Sequence, residues 1–374
     1  IRALRERWYR EDRYGIRLTA QRLDRLPERC ANLVVGSPEQ MKSALPLLSP
    51  RGKLVCIGKP PTLEGVAWTS LAGGVAWGEF VSPGELSQWG HQYGSAANAS
   101  YSGETLGGVD DTSQLKVQWL GRPGADFGID RNPRMPAPLA TGGRLFHQGM
   151  NRMIALDAFN GAVLWSLEIP DLRRVNIPRD CANWCADSDH VFAAVRDRLW
   201  VIGAATGEME QAFRLPPQYA QGHDWGYIAD GGDVLIGTAM KQSSAYESFW
   251  DKAAWYDGQD DAATAKVCGS AIVAYDKRYG DVRWQRNVDA AVHCTITVAD
   301  DRIYFVEVDD ASLRTAPSGK LTNQQIWKNA WVVCLDVSSG KEHWRKKVPR
   351  QEDAVVGSFG IADVRQFVLQ TSSN

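Results

Sequence analysis

Residues 154–165 read Ile-Ala-Leu-Asp-Ala-Phe-Asn-Gly-Ala-Val-Leu-Trp, and this stretch decides the fold. An apolar run ends at Asp157, a turn follows at Asn160 and Gly161, and a second apolar run ends at Trp165. Asn-Gly between two apolar runs is the strongest short-range signal for a β-hairpin, because both residues tolerate a positive φ. The stretch therefore predicts a hairpin that an Asp opens and a Trp closes.

The same pattern returns along the chain with the spacing D-x-x-x-G-x-x-x-W. It runs from Asp157 to Trp165, from Asp276 to Trp284 and from Asp336 to Trp344, and a degraded copy has Gly203, Gly207 and, beyond the expected Trp position, Phe213. The turn glycines at 161, 207, 280 and 340 are separated by 46, 73 and 60 residues. Strand-rich repeats of about 40–50 residues are typical of β-propellers. The two longer spacings indicate loop insertions.

Composition excludes some classes of function. The chain has 374 residues, with 42 Lys and Arg against 44 Asp and Glu, so no overall basic character points to a nucleic acid partner. No run of eighteen apolar residues is present, so we expect no membrane span. The Cys181 and Cys185 pair has no second pair and no histidines at ligand spacing, so no metal site is predicted. The compartment, periplasmic or cytoplasmic, stays open.

The first 60 residues alternate between helix and strand patterns, which is typical of an α/β unit. We expect a charged helix over 1–14, a short strand over 17–20, a buried parallel strand over 31–35, a helix over 38–48 and a second buried strand over 53–58. Residues 61–85 are rich in Pro and Gly and predict a connector, part of which could form a last edge hairpin. The remainder, 86–374, is the propeller region. The first residue is Ile and no signal peptide opens the chain, so we expect the sequence to begin inside a longer product.

Two short motifs in the α/β unit resemble the second half of a class I S-adenosylmethionine-dependent methyltransferase. They are Asp24-Arg25-Leu26-Pro27 and the Leu-Ser-Pro-Arg-Gly-Lys-Leu run at 48–54. The resemblance implies that Asp24 lies near the adenine of S-adenosylmethionine. The glycine-rich loop of that family is expected upstream of residue 1, so this piece alone should not bind the cofactor. The competing interpretation is a generic α/β remnant.

The propeller region resembles quinoprotein (pyrroloquinoline quinone-type) β-propeller repeats. The resemblance rests on the repeated hairpins and on Trp89, Tyr93-Gly94, Asn98, Tyr101-Ser102 and the strand at 115–119 that ends in Trp119. The fold expected is therefore mainly β, a β-propeller of four-stranded blades that follows a small Rossmann-like α/β fragment. The combination also resembles large multidomain bacterial proteins.

Four blades and part of a fifth are predicted. The partial blade begins with Ser358-Phe359-Gly360 and includes 366–369. Propellers have about 4–8 blades, and the resemblance implies closure with seven or eight. An open arc would leave exposed strand edges, so we expect further blades after residue 374.

The repeated Asp and Trp residues are predicted to be structural. An Asp that follows an apolar strand bonds backbone amides in the turn. A Trp offers a large apolar face and one N–H, which suits docking between neighbouring blades. The residues in this class are Asp157, Asp276, Asp336, Trp165, Trp284 and Trp344.

A quinoprotein dehydrogenase would need more than the repeats. The resemblance implies a quinone held between a Trp face and a vicinal Cys-Cys disulfide, with calcium bound by Glu, Asn and Asp. The sequence contains no Cys-Cys pair and no C-x-x-C-H motif.

Ligand sites of propellers lie at the mouth of the central channel, on the residues that precede the inner strands. The candidates are Arg179, Asp180, Asn183, Trp184, His223, Asp224, Trp225, Tyr227 and His293. The alternative interpretation is that these side chains are hydrogen-bond partners between blades.

The sequence therefore favours a propeller module that binds or scaffolds a protein or small-molecule ligand. Two enzyme interpretations stay open. One is a dehydrogenase that uses pyrroloquinoline quinone with calcium, and the other is an S-adenosylmethionine-dependent methyltransferase whose propeller presents the substrate.

Overall fold

A computed structural model describes residues 1–11, 21–80, 88–102, 109–115, 117–121, 136–149, 151–172, 183–242, 244–246 and 265–349. The chain divides into two compact units. The first comprises Ile1–Leu86, Gly108–Gly121 and Asp157–Ala162, and the second comprises Ser87–Gly107, Arg122–Leu156 and Val163–Asn374.

The first unit contains a mixed four-stranded sheet. Its elements are α1 (Arg2–Arg10), β1 (Ala31–Gly36), α2 (Pro38–Ala44), β2 (Leu48–Ile57), β3 (Val66–Leu71) and β4 (Val75–Phe80). The strand order is β1-β2-β4-β3, with β1 parallel to β2 and the other pairs antiparallel. Ser37 and Gln40 form a capping box that starts α2, and Pro38 suits its first turn. Met41, Leu48, Leu54 and Cys56 form the buried core.

Two predictions for this unit were wrong in part. The strand over 31–35 was expected to be buried, but Leu33 and Val35 are each 57% exposed. The reason is that the described residues cover only one face of the sheet. Val34 lies on the covered face, opposite Leu54 of β2. Leu33 and Val35 lie on the other face, as does Ile57 of β2, which is 60% exposed. The helix expected over 38–48 ends at Ala44, where a 3₁₀ turn (Leu45–Leu47) leads into β2.

An edge hairpin does form within residues 61–85. It consists of β3 and β4, with β4 against β2 and β3 at the sheet edge. The strand expected over 17–20 lies outside the described residues. The domain boundaries near residues 60 and 85 stay predictions.

The second unit is a β-propeller, as the repeats predicted. Blade 1 contains β5 (Leu139–Thr141), β6 (Arg144–Gln148), β7 (Arg152–Asp157) and β8 (Val163–Glu168), and blade 2 contains β9 (Trp184–Ala186), β10 (His190–Val195), β11 (Arg198–Gly203) and β12 (Met209–Arg214). In each blade the strands follow one another in sequence order from the inner to the outermost strand. Adjacent strands in such a meander are antiparallel, as β9 to β12 show.

Blades 3 and 4 share one continuous sheet. Blade 3 contains β13 (His223–Asp230), β14 (Val234–Lys241), β15 (Lys266–Asp276) and β16 (Val282–Val292), and blade 4 contains β17 (Thr297–Ala299), β18 (Arg302–Val308), β20 (Ala330–Asp336) and β21 (Glu342–Lys347). The blades join where β16 pairs with β18 at Ala290 and Ala291. The predicted insertion over 309–325 holds a 3₁₀ turn, β19 (Lys320–Leu321) paired with β15, and the start of α3 (Asn323–Lys328). The predicted fifth blade lies outside the described residues.

The Asp of each repeat fixes its hairpin turn, as predicted. Asp276 Oδ1 accepts hydrogen bonds from the backbone N–H groups of Arg278 (3.0 Å) and Tyr279 (2.9 Å). Asp157 does the same for Phe159 and Asn160. Each bond holds the turn in the shape that places the following glycine at positive φ.

Two of the three repeat tryptophans, Trp165 and Trp284, dock on a turn of the same kind, as does Trp119 before the first repeat. Trp165 Nε1 donates to the Ala204 carbonyl at 3.0 Å, Trp284 Nε1 to Val337 at 2.8 Å and Trp119 Nε1 to Ala158 at 3.0 Å. The acceptor is always the residue directly after the position where the Asp stands. The indole ring of each Trp covers the turn glycine, so a Cβ placed on Gly340 would lie 2.4 Å from Trp284. In the degraded copy Phe213 takes this place over Gly280.

We predict that Gly340→Ala destabilises the protein more than Gly232→Ala. Both glycines have positive φ, +68° and +85°, so each variant carries a strain of about 1–2 kcal/mol. Only at Gly340 does the new methyl group meet an indole ring, which adds about 1–3 kcal/mol of overpacking, whereas nothing lies within 4 Å of a Cβ on Gly232. Urea denaturation of both variants measures the difference. Equal losses of unfolding free energy would contradict the docking of Trp284.

Candidate functional site

Residues 89–98, here called the strap, lie across the inner strands of all four described blades. Trp89 exchanges both backbone hydrogen bonds with Ala140 of β5 (2.7 and 2.9 Å), and the Gly90 carbonyl accepts from Ala186 of β9 at 2.9 Å. His91 Nε2 accepts from the backbone N–H of Asp230, at the end of β13, at 2.9 Å. Three successive strap residues therefore contact three successive blades.

The far end of the strap reaches blade 4. The Ala96 carbonyl accepts from the Val298 N–H at 2.8 Å. The Asn98 side-chain amide donates to the Ile296 carbonyl at 3.0 Å and to Thr297 Oγ1 at 2.9 Å. The chain turns back between His91 and Gly94, where Gly94 has a φ of +89°. This turn lets a short segment reach all four inner strands.

The strap comes closest to the backbone of a blade at Gly90. A Cβ at this position would lie 2.3 Å from the backbone oxygen of Ala186. A backbone oxygen inside a sheet cannot move away as a flexible side chain can, so the site requires glycine.

Beneath the strap lies a cavity of about 30 Å³. It is lined by His91, Gln92, Tyr93, Asn98, Trp184, Tyr227, Ile228, His293, Cys294 and Ile296. A space of this size holds about two water molecules. Three of the nine residues predicted from the sequence, Trp184, Tyr227 and His293, meet here.

Trp184 forms one wall of the cavity. Its side chain is 1% exposed, and its indole N–H has no hydrogen-bond partner among the described residues. A buried donor of this kind costs free energy unless water or a ligand accepts from it. Trp184 is therefore the lining residue with unused bonding capacity.

His293 and Tyr227 are joined through Thr238. His293 Nε2 and Thr238 Oγ1 lie 2.9 Å apart, and the Tyr227 backbone N–H donates to the same hydroxyl at 2.8 Å. His293 opens a 3₁₀ turn (His293–Thr295) between β16 and β17, directly before the inner strand of blade 4. This turn aims the imidazole into the interior, where the residue is fully buried.

The other predicted residues do not line the cavity. Asn183 donates to the Leu172 carbonyl at 2.8 Å and to the Ala194 carbonyl at 3.0 Å, so it ties the segment that follows blade 1 to β10 of blade 2. Arg179 and Asp180 lie outside the described residues.

The first residues of β13 are also placed elsewhere. Asp224 is 2% exposed, and Trp225 is fully buried with its ring 4.8 Å from that of Tyr275. His223 packs its ring edge on Tyr219 at 5.0 Å, and burial lowers the pKa of its imidazole. These three side chains support the packing of blade 3.

The strap residues of the cavity were missed as site residues. Tyr93 and Asn98 were recognised only as carriers of a family resemblance, and His91 and Gln92 stand at unspecified positions between its Trp and its Tyr. Gln92 Oε1 also accepts from the Ala137 backbone N–H at 3.0 Å, which anchors the strap near blade 1. The one available signal was the dense Trp-Gly-His-Gln-Tyr-Gly run itself.

His91 is held in the neutral form. Burial lowers its pKa to about 4, with a smaller opposing effect of Asp230 and a further lowering by Lys277. Because Nε2 accepts the Asp230 N–H, the ring proton of neutral His91 must sit on Nδ1. Protonation would remove the acceptor that ties the strap to blade 3.

Asp24 in the first unit is engaged by a neighbour. It lies in an exposed 3₁₀ turn (Leu23–Arg25), and both of its carboxylate oxygens accept from the Arg22 guanidinium at 2.9 and 2.6 Å. Its role toward S-adenosylmethionine stays a prediction.

Metal-ligand clusters and membrane-spanning helices are both absent from the described part of the chain. No group of three or more His, Cys, Asp or Glu side chains is arranged there to hold a metal ion. None of the helices found there has the length and hydrophobicity of a membrane span.

Comparison with solved structures gives propeller proteins. Quinohemoprotein alcohol dehydrogenase ADHIIG from Pseudomonas putida HK5 is similar with a TM-score of 0.45 and 14% identity, over 71% of this chain and 41% of that one. BamB from Moraxella catarrhalis gives a TM-score of 0.33 and 13% identity, over 59% of this chain and 55% of that one. The Neurospora crassa Pan2 WD40 domain gives a TM-score of 0.36 and 12% identity, over 57% and 52%.

The chain thus spans about half or less of the length of these proteins. No known family profile and no curated protein matches the sequence. The strand topology defines the class of protein, a β-propeller, and the similarities add nothing about its activity or partners.

We predict that His91 makes stability depend on pH between about 4 and 6.5. The unfolded chain binds a proton near pH 6.5 and the folded chain only near 4, so stability is full above 6.5 and falls as the pH drops through this window. The shift corresponds to at most about 3 kcal/mol. Urea midpoints across this range measure it.

His91→Gln should reduce this slope, because the Gln side-chain oxygen can accept from Asp230 without titrating. Part of the slope should remain, since burial also lowers the pKa of His147 to about 4. His343→Gln, at an exposed histidine of β21, is the matched control and should leave the slope unchanged. A slope that is the same in both variants would exclude His91 as the source.

Proposed function

We propose that this chain is a propeller module that binds or scaffolds a protein or a small-molecule ligand, and that it does so on surfaces other than its central cavity. The observation that carries the proposal is the strap. It occupies the inner strands of four blades through hydrogen bonds to Ala140, Ala186, Asp230 and Val298.

The space left beneath the strap supports this proposal. A cavity of about 30 Å³ admits about two water molecules, and a three-ring quinone is many times larger. A ligand of that size would have to displace the strap from several strands at once.

The quinone-dependent dehydrogenase is the second candidate. It is favoured by Trp184, whose buried indole N–H lacks a partner among the described residues, and by His293 beside it. The residues present do not fit the cofactor pair, however. Calcium takes oxygen ligands, above all carboxylates, and none of the ten residues that line the cavity is Asp or Glu.

The methyltransferase interpretation rests on the two motifs of the first unit alone. Asp24 is exposed and could be reached by a ligand, but the Arg22 guanidinium already engages both of its oxygens. The interpretation stays a prediction that a glycine-rich loop upstream would support.

We also propose that blade 4 packs against a further blade. Trp119, Trp165, Phe213 and Trp284 each cover the turn glycine of another hairpin. Trp344 of β21 holds the equivalent position in the repeat and is half-buried. A further D-x-x-x-G turn is the group that this position is built to receive.

Reconstitution with pyrroloquinoline quinone and calcium tests the proposal. We expect that the full-length protein retains no quinone absorbance after gel filtration and shows no dye-linked oxidation of alcohols. Retained quinone with turnover would overturn the proposal and make the cavity an active site. In that case Trp184→Phe should weaken quinone retention, whereas Trp225→Phe, in the blade core, should not.

A further inference from the structure

We propose that β21, the outermost strand of blade 4, is a docking edge for an extended acidic peptide segment. The proposal rests on the binding function proposed above and names the surface and the chemistry of the partner. It follows from the backbone, the charge and the aromatic contacts of this one strand.

The backbone of β21 is open on one side. The strand pairs with β20 and ends the strand order of its sheet in the described part of the chain. The Val348 N–H donates to the Ala330 carbonyl at 2.9 Å, and in an antiparallel ladder only every second residue bonds to its neighbour. Arg345 and Lys347 therefore turn their N–H and C=O groups away from β20.

The charge of β21 distinguishes it from the other outermost strands. Its six residues, Glu-His-Trp-Arg-Lys-Lys, carry three permanent cations and one carboxylate, a net charge of +2. The corresponding strands of blades 1 and 2, Val-Leu-Trp-Ser-Leu-Glu and Met-Glu-Gln-Ala-Phe-Arg, carry −1 and 0. The eleven residues of β16 in blade 3 carry +1, but Arg283 and Arg286 of that strand are paired with carboxylates and its edge is joined to β18. The Glu342 carboxylate is engaged by Arg286 at 2.5 Å, and Arg345 is paired with Asp309 at 3.5 Å. The charge of β21 that no carboxylate of the described residues pairs with is therefore that of Lys346 and Lys347.

The cations of β21 lie over tryptophan rings. Lys346 Nζ lies 5.4 Å from the ring centre of Trp344, and the Arg345 guanidinium and Lys347 Nζ lie 4.6 and 5.8 Å from that of Trp331. Among the described residues no carboxylate forms an ion pair with Lys346 or Lys347, and both are exposed. Cation–π contacts hold the side chains in place without cancelling their charge.

These features select the partner. An added strand would meet the free N–H and C=O groups of Arg345 and Lys347, and its side chains would stand beside theirs. Opposite charges on facing strands attract, so acidic residues fit opposite Arg345 and Lys347. A second copy of β21 would bring like charges together, which is how edge lysines prevent self-association.

A designed peptide tests the proposal. The probe is an extended peptide of about eight residues that alternates Glu and Val, labelled with a fluorophore and titrated by anisotropy at low salt. A Lys-Val peptide of equal length is the charge control. Two N-methylated versions of the probe, with methyl groups on alternate amides, block one or the other hydrogen-bonding edge.

We expect the Glu-Val probe to bind, the Lys-Val peptide not to bind, and one N-methylated version to lose affinity while the other keeps it. Lys347→Glu should weaken binding about fivefold or more. Arg214→Glu is the matched control, since it reverses one exposed cation on the outermost strand of blade 2, and it should change affinity less than twofold.

Three results would overturn the proposal. They are no binding of the Glu-Val probe at low salt, equal losses in Lys347→Glu and Arg214→Glu, and equal affinity for both N-methylated probes. Tighter binding of single-stranded poly-dT than of the peptide would assign the strand to nucleic acid instead. None of these results depends on quinone retention. Failure of the peptide-docking proposal can therefore be distinguished from failure of the proposed binding function, which the quinone experiment tests.

Discussion

The fold depends on one repeated contact, an indole ring over a glycine turn. The Trp284 ring covers Gly340 while its N–H donates to Val337, and Trp165 repeats the pair with Gly207 and Ala204. In its complete form, at Asp336, Gly340 and Trp284, the contact combines an Asp that holds the turn, a glycine at positive φ and an indole ring with an N–H donor. The turn at Gly207 lacks the Asp, and Phe213 lacks the donor, so the ring over the glycine is the part that these copies share. The constant spacing of the repeat places these groups at equivalent positions in successive blades. This explains why strands of otherwise unrelated sequence assemble into equivalent blades.

The strap imposes a second constraint, on the centre of the propeller. Because Gly90, His91 and Asn98 bond to successive inner strands, the channel that many propellers use for ligands is taken up by the chain itself. The binding that we propose therefore falls to the rim, where β21 ends its sheet in the described part of the chain. The proposed preference for an acidic segment rests on Lys346 and Lys347 of this strand.

The hairpins and their docking could be predicted from sequence because each depends on residues within nine positions, from Asp157 to Trp165 for example. Even the degraded copy behaved as expected, with Phe213 replacing the Trp. The strap could not be predicted, because His91 and Asp230 are 139 residues apart and nothing local marks the pair. The prediction of the site was incomplete for the same reason. Three of the nine candidates line the cavity, and the strap contributes four more lining residues. The predicted burial of β1 was wrong in part because an apolar run does not show whether one face of its sheet or both are covered.

Hydrogen exchange of the tryptophan side chains tests the central claim most directly. The protein has fifteen tryptophans, and selective ¹⁵N labelling makes their indole N–H signals visible one by one. If docking holds the blades together, the N–H groups of Trp165 and Trp284 should exchange only through unfolding, with equal protection that falls together as urea is added. Exchange of either N–H at the rate of a free indole would contradict the account. The blades would then be held together without the contact between the indole and the glycine turn.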